Sequence, residues 1–192
     1  MSGTADTRMR QHEDLAPSAW VRRFAPLITS GGAVLDLACG AGRHARHLAE
    51  LGFRVQAVDR DGGALAALEG VARIQVQRAD LEAAPWPYRA DSFDGIVVTN
   101  YLHRPLFGSI VDALRPAGVL IYETFALGNE KYGRPSNPEF LLRPNELLQW
   151  VQGRLQVLAF EQGLVASPKP AVVQRICALR RATEDCRLDL AD

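Results

Sequence analysis

Carboxylates stand at or near the ends of successive apolar runs in this chain. Asp36 lies in Val34-Leu35-Asp36-Leu37, Asp59 closes Phe53-Arg54-Val55-Gln56-Ala57-Val58-Asp59, Asp80 follows Ile74-Gln75-Val76-Gln77, and Glu123 ends Val119-Leu120-Ile121-Tyr122-Glu123. A carboxylate at the tip of a buried run is costly without a partner, so the row reads as a set of ligand contacts. Between the first two lies Ala38-Cys39-Gly40-Ala41-Gly42-Arg43. Small residues there let the backbone approach a ligand closely, and the N-terminus of the helix that follows favours negative charge. Asp59, nineteen residues beyond Gly40, suits hydrogen bonds to ribose hydroxyls.

Other reactive side chains carry two readings each. His103, in Asn100-Tyr101-Leu102-His103-Arg104 after an apolar run, is either a general base or a hydrogen-bonded loop residue. Glu123 is either a base facing the acceptor or one half of an ion pair with Arg104, Arg134 or Arg143. Arg43 meets a ligand carboxylate or caps the sheet edge. His44 and His47 have the spacing for shared metal ligation, but no carboxylate or cysteine accompanies them, and a solvated helix face is preferred; no metal is expected. Cys39 reads as a small packing residue and Tyr101 as a pocket wall.

The elements that would position these groups follow from periodicity. A helix is expected from about Asp14, with Ser18 as an internal cap and Trp20, Val21, Phe24 and Leu27 as its stripe, either packed on the sheet edge or lying over a ligand. Strands are expected over Val34–Leu37, Phe53–Asp59, Ile74–Gln77, Phe93–Thr99 and Val119–Thr124, with a helix from Arg43 to Leu51 and Gly52 at its C′ position. A further helix runs through Ile110, Val111 and Leu114 and stops at Arg115-Pro116-Ala117-Gly118. The pattern then breaks over 125–143, a long loop of the kind that is usually functional or disordered. After a short helix at 145–151, Leu155–Phe160 and Val172–Leu179 pair through Ser167-Pro168-Lys169-Pro170. The fold class is α/β: a Rossmann-like doubly wound sheet of seven strands, mostly parallel, with an antiparallel hairpin at one edge. One domain is expected over 1–192, with 1–12 and 181–192 loose and 125–143 on the substrate side.

Composition narrows the setting. Lysine plus arginine, 22, equals aspartate plus glutamate, 22, so no overall field draws the chain to nucleic acid. No stretch is long and apolar enough to suggest a membrane span or a signal peptide, and Cys39, Cys177 and Cys186 are too few for a disulfide framework. A reducing cytoplasm is the expected location.

Glycine turns of this kind serve nicotinamide, flavin and S-adenosylmethionine alike. Asp36 discriminates among them: inside the strand it would repel a pyrophosphate, whereas it suits the ammonium of a methionine moiety. Asp36-Leu37-Ala38-Cys39-Gly40-Ala41-Gly42-Arg43 resembles the glycine motif of class I S-adenosylmethionine-dependent methyltransferases, and is most similar to the small bacterial tellurite-resistance-type group. The resemblance implies that Asp36, Ala38, Cys39, Gly40, Gly42 and Arg43 line the cofactor. It implies that Asp59, with adjacent Arg60, serves the ribose, that Asp80 and Leu81 read the adenine, and that the Asn100 region contacts the methionine end. Ser92-Phe93-Asp94-Gly95-Ile96 and Leu114-Arg115-Pro116-Ala117-Gly118 resemble the family's later motifs, with Ala117 replacing a glycine at little cost if its φ is negative. Glu123 and His103 are the candidates for proton transfer.

The expected activity is methyl transfer from S-adenosylmethionine, releasing S-adenosylhomocysteine, to a small-molecule acceptor. Three alternatives stay open: an RNA acceptor held by Lys131, Tyr132, Arg134 and Arg143, a nicotinamide-dependent oxidoreductase, and a catalytically silent scaffold that needs a protein partner. Nothing in the sequence fixes the oligomeric state.

Overall fold

The computed structural model describes residues 16–167 and 169–180. Among the described residues the first helix, α1, is Ala19–Phe24, with Ser18 as its N-cap and the Ser18 hydroxyl accepting from the Trp20 N–H at 3.1 Å. The cap therefore begins the helix and is not internal to it, and Asp14 lies outside the described residues. Pro26 tightens the exit into a 3₁₀ turn over Ala25–Leu27.

Seven strands follow: β1 Ala33–Leu37, β2 Arg54–Asp59, β3 Ile74–Arg78, β4 Phe93–Thr99, β5 Leu114–Phe125, β6 Gln156–Val165 and β7 Ala171–Leu179. Between them run α2 Arg43–Glu50, α3 Gly62–Leu65, α4 Phe107–Ala113 and α5 Glu146–Val151. The strand order is β3-β2-β1-β4-β5-β7-β6. β1 to β5 pair in parallel, and β7 is antiparallel to both β5 and β6. The expected edge hairpin is present, but its second strand is the inner one. β6 forms the edge, and β7 alone runs against the rest.

Strand alternation divides the side chains between two cores. Leu35 and Leu37, Ile96 and Val98, Leu120 and Tyr122 face α4 and α5. Val34, Val55, Ala57, Val97, Val119, Ile121 and Cys177 face the other way, against Trp20, Val21 and Phe24 of α1 and Ala45 and Leu48 of α2. The α1 stripe is thus buried on the sheet, as the packing alternative required.

Two local expectations fail. Leu114 belongs to β5, not to the preceding helix, because it pairs with Phe93 ahead of the irregularity before Gly95. Ala117 has φ +64°, in the left-handed region, so replacing glycine there carries a strain that a negative φ would have avoided. The stretch 125–143 is also more regular than its composition suggests. It contains an Ala126–Leu142 bridge, short 3₁₀ turns at Asn129–Lys131 and Pro138–Phe140, and buried Leu141 and Leu142.

Candidate active site at the carboxyl rim of the sheet

Because β1 to β5 run in one direction, the glycine turn, Asp59, Asp80, Asn100 and Glu123 all fall on one rim of the sheet. This is the rim at which open α/β sheets bind ligands. The turn is held by backbone bonds from the Cys39 N–H to Val58 O at 3.0 Å and from the Gly42 N–H to Cys39 O at 2.9 Å. Gly42 has φ +79°, and a Cβ there would lie 2.3 Å from the Leu68 side chain, so the turn tolerates no side chain at this position. At Gly40 a Cβ would meet nothing within 4 Å, which leaves the outer face of the turn open.

Asp36 occupies the α2-facing side of β1 and is fully buried, yet neither carboxylate oxygen finds a hydrogen-bond partner among the described residues. Burial pushes its pKa up to about 7; the nearby Ala45 N–H and the Arg43 guanidinium offset only part of this, and Asp59 adds to it. A purely structural aspartate would have a partner inside the protein. Arg43, half-buried at the start of α2, makes no ion pair among the described residues; burial lowers its pKa against the pull of Glu123 and Asp36.

Asp59 is fixed by two backbone donors, the Gly40 N–H to Oδ2 at 2.8 Å and the Asp61 N–H to Oδ1 at 2.9 Å, with lone pairs left over for further donors. Arg60 is exposed, and its carbonyl accepts from Arg78 Nε at 3.3 Å. Asp80 Oδ1 accepts from the Glu82 and Ala83 N–H groups at 3.0 and 3.2 Å, and Leu81 is buried beside it. Asn100 is exposed with φ +55°, and its N–H is tied to Glu123 O at 2.9 Å. Half-buried Tyr101 packs against the core, and burial holds its hydroxyl well above the ordinary phenol range. Cys39 is buried, and the same cause raises its thiol far out of the nucleophilic range.

Glu123 is committed on both oxygens, but to none of the three arginines expected. Ser18 Oγ donates to Oε1 at 2.8 Å, and Arg175 Nε stands 2.9 Å from Oε2. Arg104 instead grips Glu146, with Nε to Oε1 at 2.7 Å and Nη2 to Oε2 at 3.0 Å, and pins the carbonyls of Glu139 and Leu141. His103 is half-buried in the loop after β4, and no hydrogen bond to its ring occurs among the described residues. Nor is His44 on a solvated face. It is buried, its Nε2 accepting from the Ser18 N–H at 3.2 Å and its Nδ1 lying 3.2 Å from Thr99 Oγ1. Burial, then Arg43 and His47, lower its pKa to about 3.

Sequence reasoning missed Ser18, His44, Thr99 and Arg175 as parts of the rim. For Arg175 a signal existed: a cation in the otherwise apolar face Val173, Arg175, Cys177, Leu179 needs a buried anion opposite.

An orphaned buried carboxylate, an open glycine turn, and acid groups at or near the tips of β1, β2 and β3 on a Rossmann-like sheet resemble the site of class I S-adenosylmethionine-dependent methyltransferases. Residues 34–118 match the family model described as a methyltransferase domain. A curated protein-L-isoaspartate O-methyltransferase from Chlorobaculum tepidum is 34% identical over 104 residues, covering 52% of this chain and 48% of the relative. The chain thus spans about half the length of that relative. Among solved structures, TehB from Haemophilus influenzae aligns with a TM-score of 0.74 at 21% identity, covering 92% of this chain and 66% of TehB. A TehB-like S-adenosylmethionine-dependent methyltransferase from Corynebacterium glutamicum gives a TM-score of 0.64 at 18% identity, covering 92% and 96%. Those likenesses concern the fold. S-adenosylmethionine is the cofactor named for the methyltransferases this chain resembles, and the described residues fit it: among them neither Asp36 nor Arg43 makes a salt bridge, and Asp59 and Asp80 retain free acceptor capacity.

Proposed function

We propose that this protein transfers a methyl group from S-adenosylmethionine to a small-molecule acceptor in the cytoplasm. The observation that carries the reading is Asp36, a fully buried carboxylate beside a glycine turn with no hydrogen-bond partner among the described residues. Asp36 would hold the methionine ammonium and Arg43 its carboxylate. Asp59, with Arg60 beside it, would serve the ribose hydroxyls, and Asp80 and Leu81 the adenine. Ala38, Cys39, Gly40 and Gly42 would supply close backbone, and Asn100 the contact at the methionine end. When bound, the cofactor supplies a methyl group already activated by its sulfonium, so the chain's task is to align the acceptor and exclude water.

Of the two candidates for proton transfer, His103 has the uncommitted ring. Glu123, with both oxygens taken, is better suited to holding the rim together. A small acceptor suits a chain with equal numbers of acidic and basic groups. It also suits a 125–143 segment whose Lys131 and Arg134 are interspersed with Glu130 and Glu139. No helix among the described residues is long and apolar enough to cross a membrane.

Calorimetry with S-adenosylhomocysteine and with NAD tests the cofactor assignment: the first binds and the second does not. Asp59→Asn and Asp80→Asn each weaken binding of S-adenosylhomocysteine by about tenfold, the scale of a lost charge-assisted hydrogen bond. Binding of NAD, or unchanged affinity in both variants, would overturn the reading. Tritiated-methyl S-adenosylmethionine incubated with separated metabolite and RNA fractions tests the acceptor class, and label in RNA alone would refute the small-molecule assignment.

A further inference from the structure

Thr99, Glu123 and Arg175 share the sheet face covered by α1 and α2, at the rim end of the apolar rows Val97, Val119-Ile121 and Cys177-Leu179. Thr99 and Glu123 are register partners on β4 and β5, and Glu123 and Arg175 on β5 and β7. His44, in the first turn of α2 and one residue beyond Arg43, comes down onto this row. Its two ring nitrogens do different jobs. Nε2 accepts the Ser18 N–H, so the ring proton sits on Nδ1 and is donated to Thr99 Oγ1. Ser18 then hands its hydroxyl to Glu123, and Thr99 leads directly into Asn100, whose N–H returns to Glu123 O. One imidazole thus links the start of α2, the tip of β4 and the cap of α1.

We propose that His44 is a positioning residue with two separable arms: the Nδ1 arm sets the β4 tip against the cofactor turn, and the Nε2 arm seats Ser18 on Glu123. This rests on the methyltransferase reading above. The imidazole stays neutral across the physiological range, so the tautomer, and with it the direction of both bonds, is fixed. An ordinary buried histidine contributes only to stability. A positioning one changes ligand affinity according to which arm is kept.

Asparagine places its amide near the Nδ1 position and keeps the Thr99 arm; glutamine reaches the Nε2 position and keeps the Ser18 arm. S-adenosylhomocysteine affinity by calorimetry, with thermal melts of the same ligand-free samples, separates the cases. His44→Asn is expected to bind within about threefold of wild type. His44→Gln and Thr99→Val are expected to bind about tenfold more weakly. The melting temperatures of the two His44 variants fall together, so that affinity does not track stability. Equal affinity in His44→Asn and His44→Gln would overturn the inference, as would wild-type affinity in Thr99→Val. Failure of the wild-type protein to bind S-adenosylhomocysteine would instead sink the underlying methyltransferase reading.

Discussion

At Asp36 the governing quantity is solvation. A carboxylate sealed in a sheet without a hydrogen-bond partner resists ionisation, and its pKa rises from 3.8 to about 7. In the unfolded chain the group ionises near its ordinary value. Between about pH 4 and pH 7 the folded state therefore binds the extra proton, and stability falls as pH rises through that window. The slope is roughly 1.4 kcal/mol per pH unit at its steepest, and it flattens above the folded pKa. Asp36→Asn removes this slope. Urea midpoints of the ligand-free protein and the variant, measured across the window, should converge at low pH, and the variant should be the more stable near neutrality. Parallel curves would show that Asp36 has a partner after all. The contrast with Glu123 is instructive, since that carboxylate has a hydroxyl and a guanidinium in place and leaves no comparable vacancy of charge for a ligand to fill.

At the scale of elements, the turn into β5 and the 125–143 segment show opposite solutions to irregular backbone. At Ala117 a left-handed φ of +64° is imposed on an L-residue, with the Ala117 N–H bonded to Arg180 O at 2.9 Å. Ala117→Gly relieves the clash between Cβ and carbonyl at the expense of a more flexible unfolded chain. The net expectation is a gain of about 1 kcal/mol, read as a higher urea midpoint. An unchanged or lower midpoint would mean the turn is not strained. The 125–143 segment is held by side chains in place of a ladder. Asn129 is buried, with its Nδ2 donating to Pro135 O at 3.0 Å and its Oδ1 accepting from the Val172 N–H at 3.2 Å. Arg104 fastens the far end through Glu146. Burial would raise the pKa of Glu146, but its bonds to Arg104 and the Arg143 N–H outweigh that and hold it below the ordinary carboxylate value. The segment thereby presents exposed Leu127, Tyr132 and Phe140 beside the rim.

For the whole molecule, the rim is assembled from parts far apart in the chain: Ser18 and Glu123 are 105 residues apart, and Trp20 Nε1 donates to Ile176 O across 156. Ligand binding at such a rim stabilises the folded state as a unit. S-adenosylhomocysteine at 100 times its Kd should add about 2.7 kcal/mol, which for a chain of this size raises Tm by about 5–10 °C. NAD at the same concentration should leave Tm unchanged. A melting curve indifferent to S-adenosylhomocysteine would contradict the cofactor assignment independently of calorimetry.

The sequence by itself determined the strands and the rim on which their carboxylates gather. Alternating apolar rows fix which face each strand residue takes, and a glycine turn followed by carboxylates at strand tips is local enough to be read in order. Asp36, Asp59 and Asp80 were legible because each lies at or near the end of its own strand. Only the tertiary structure decided what those groups meet. Arg175 opposes Glu123 because β7 inserts between β5 and β6, a pairing that neither strand's pattern encodes, and this frees Arg104 for Glu146. His44 looked like one of a solvated pair because helical spacing says nothing about which face is covered; the Ser18 cap and Thr99 buried it. Periodicity is a property of neighbours along the chain, whereas the partner of a buried charge is chosen by neighbours in space.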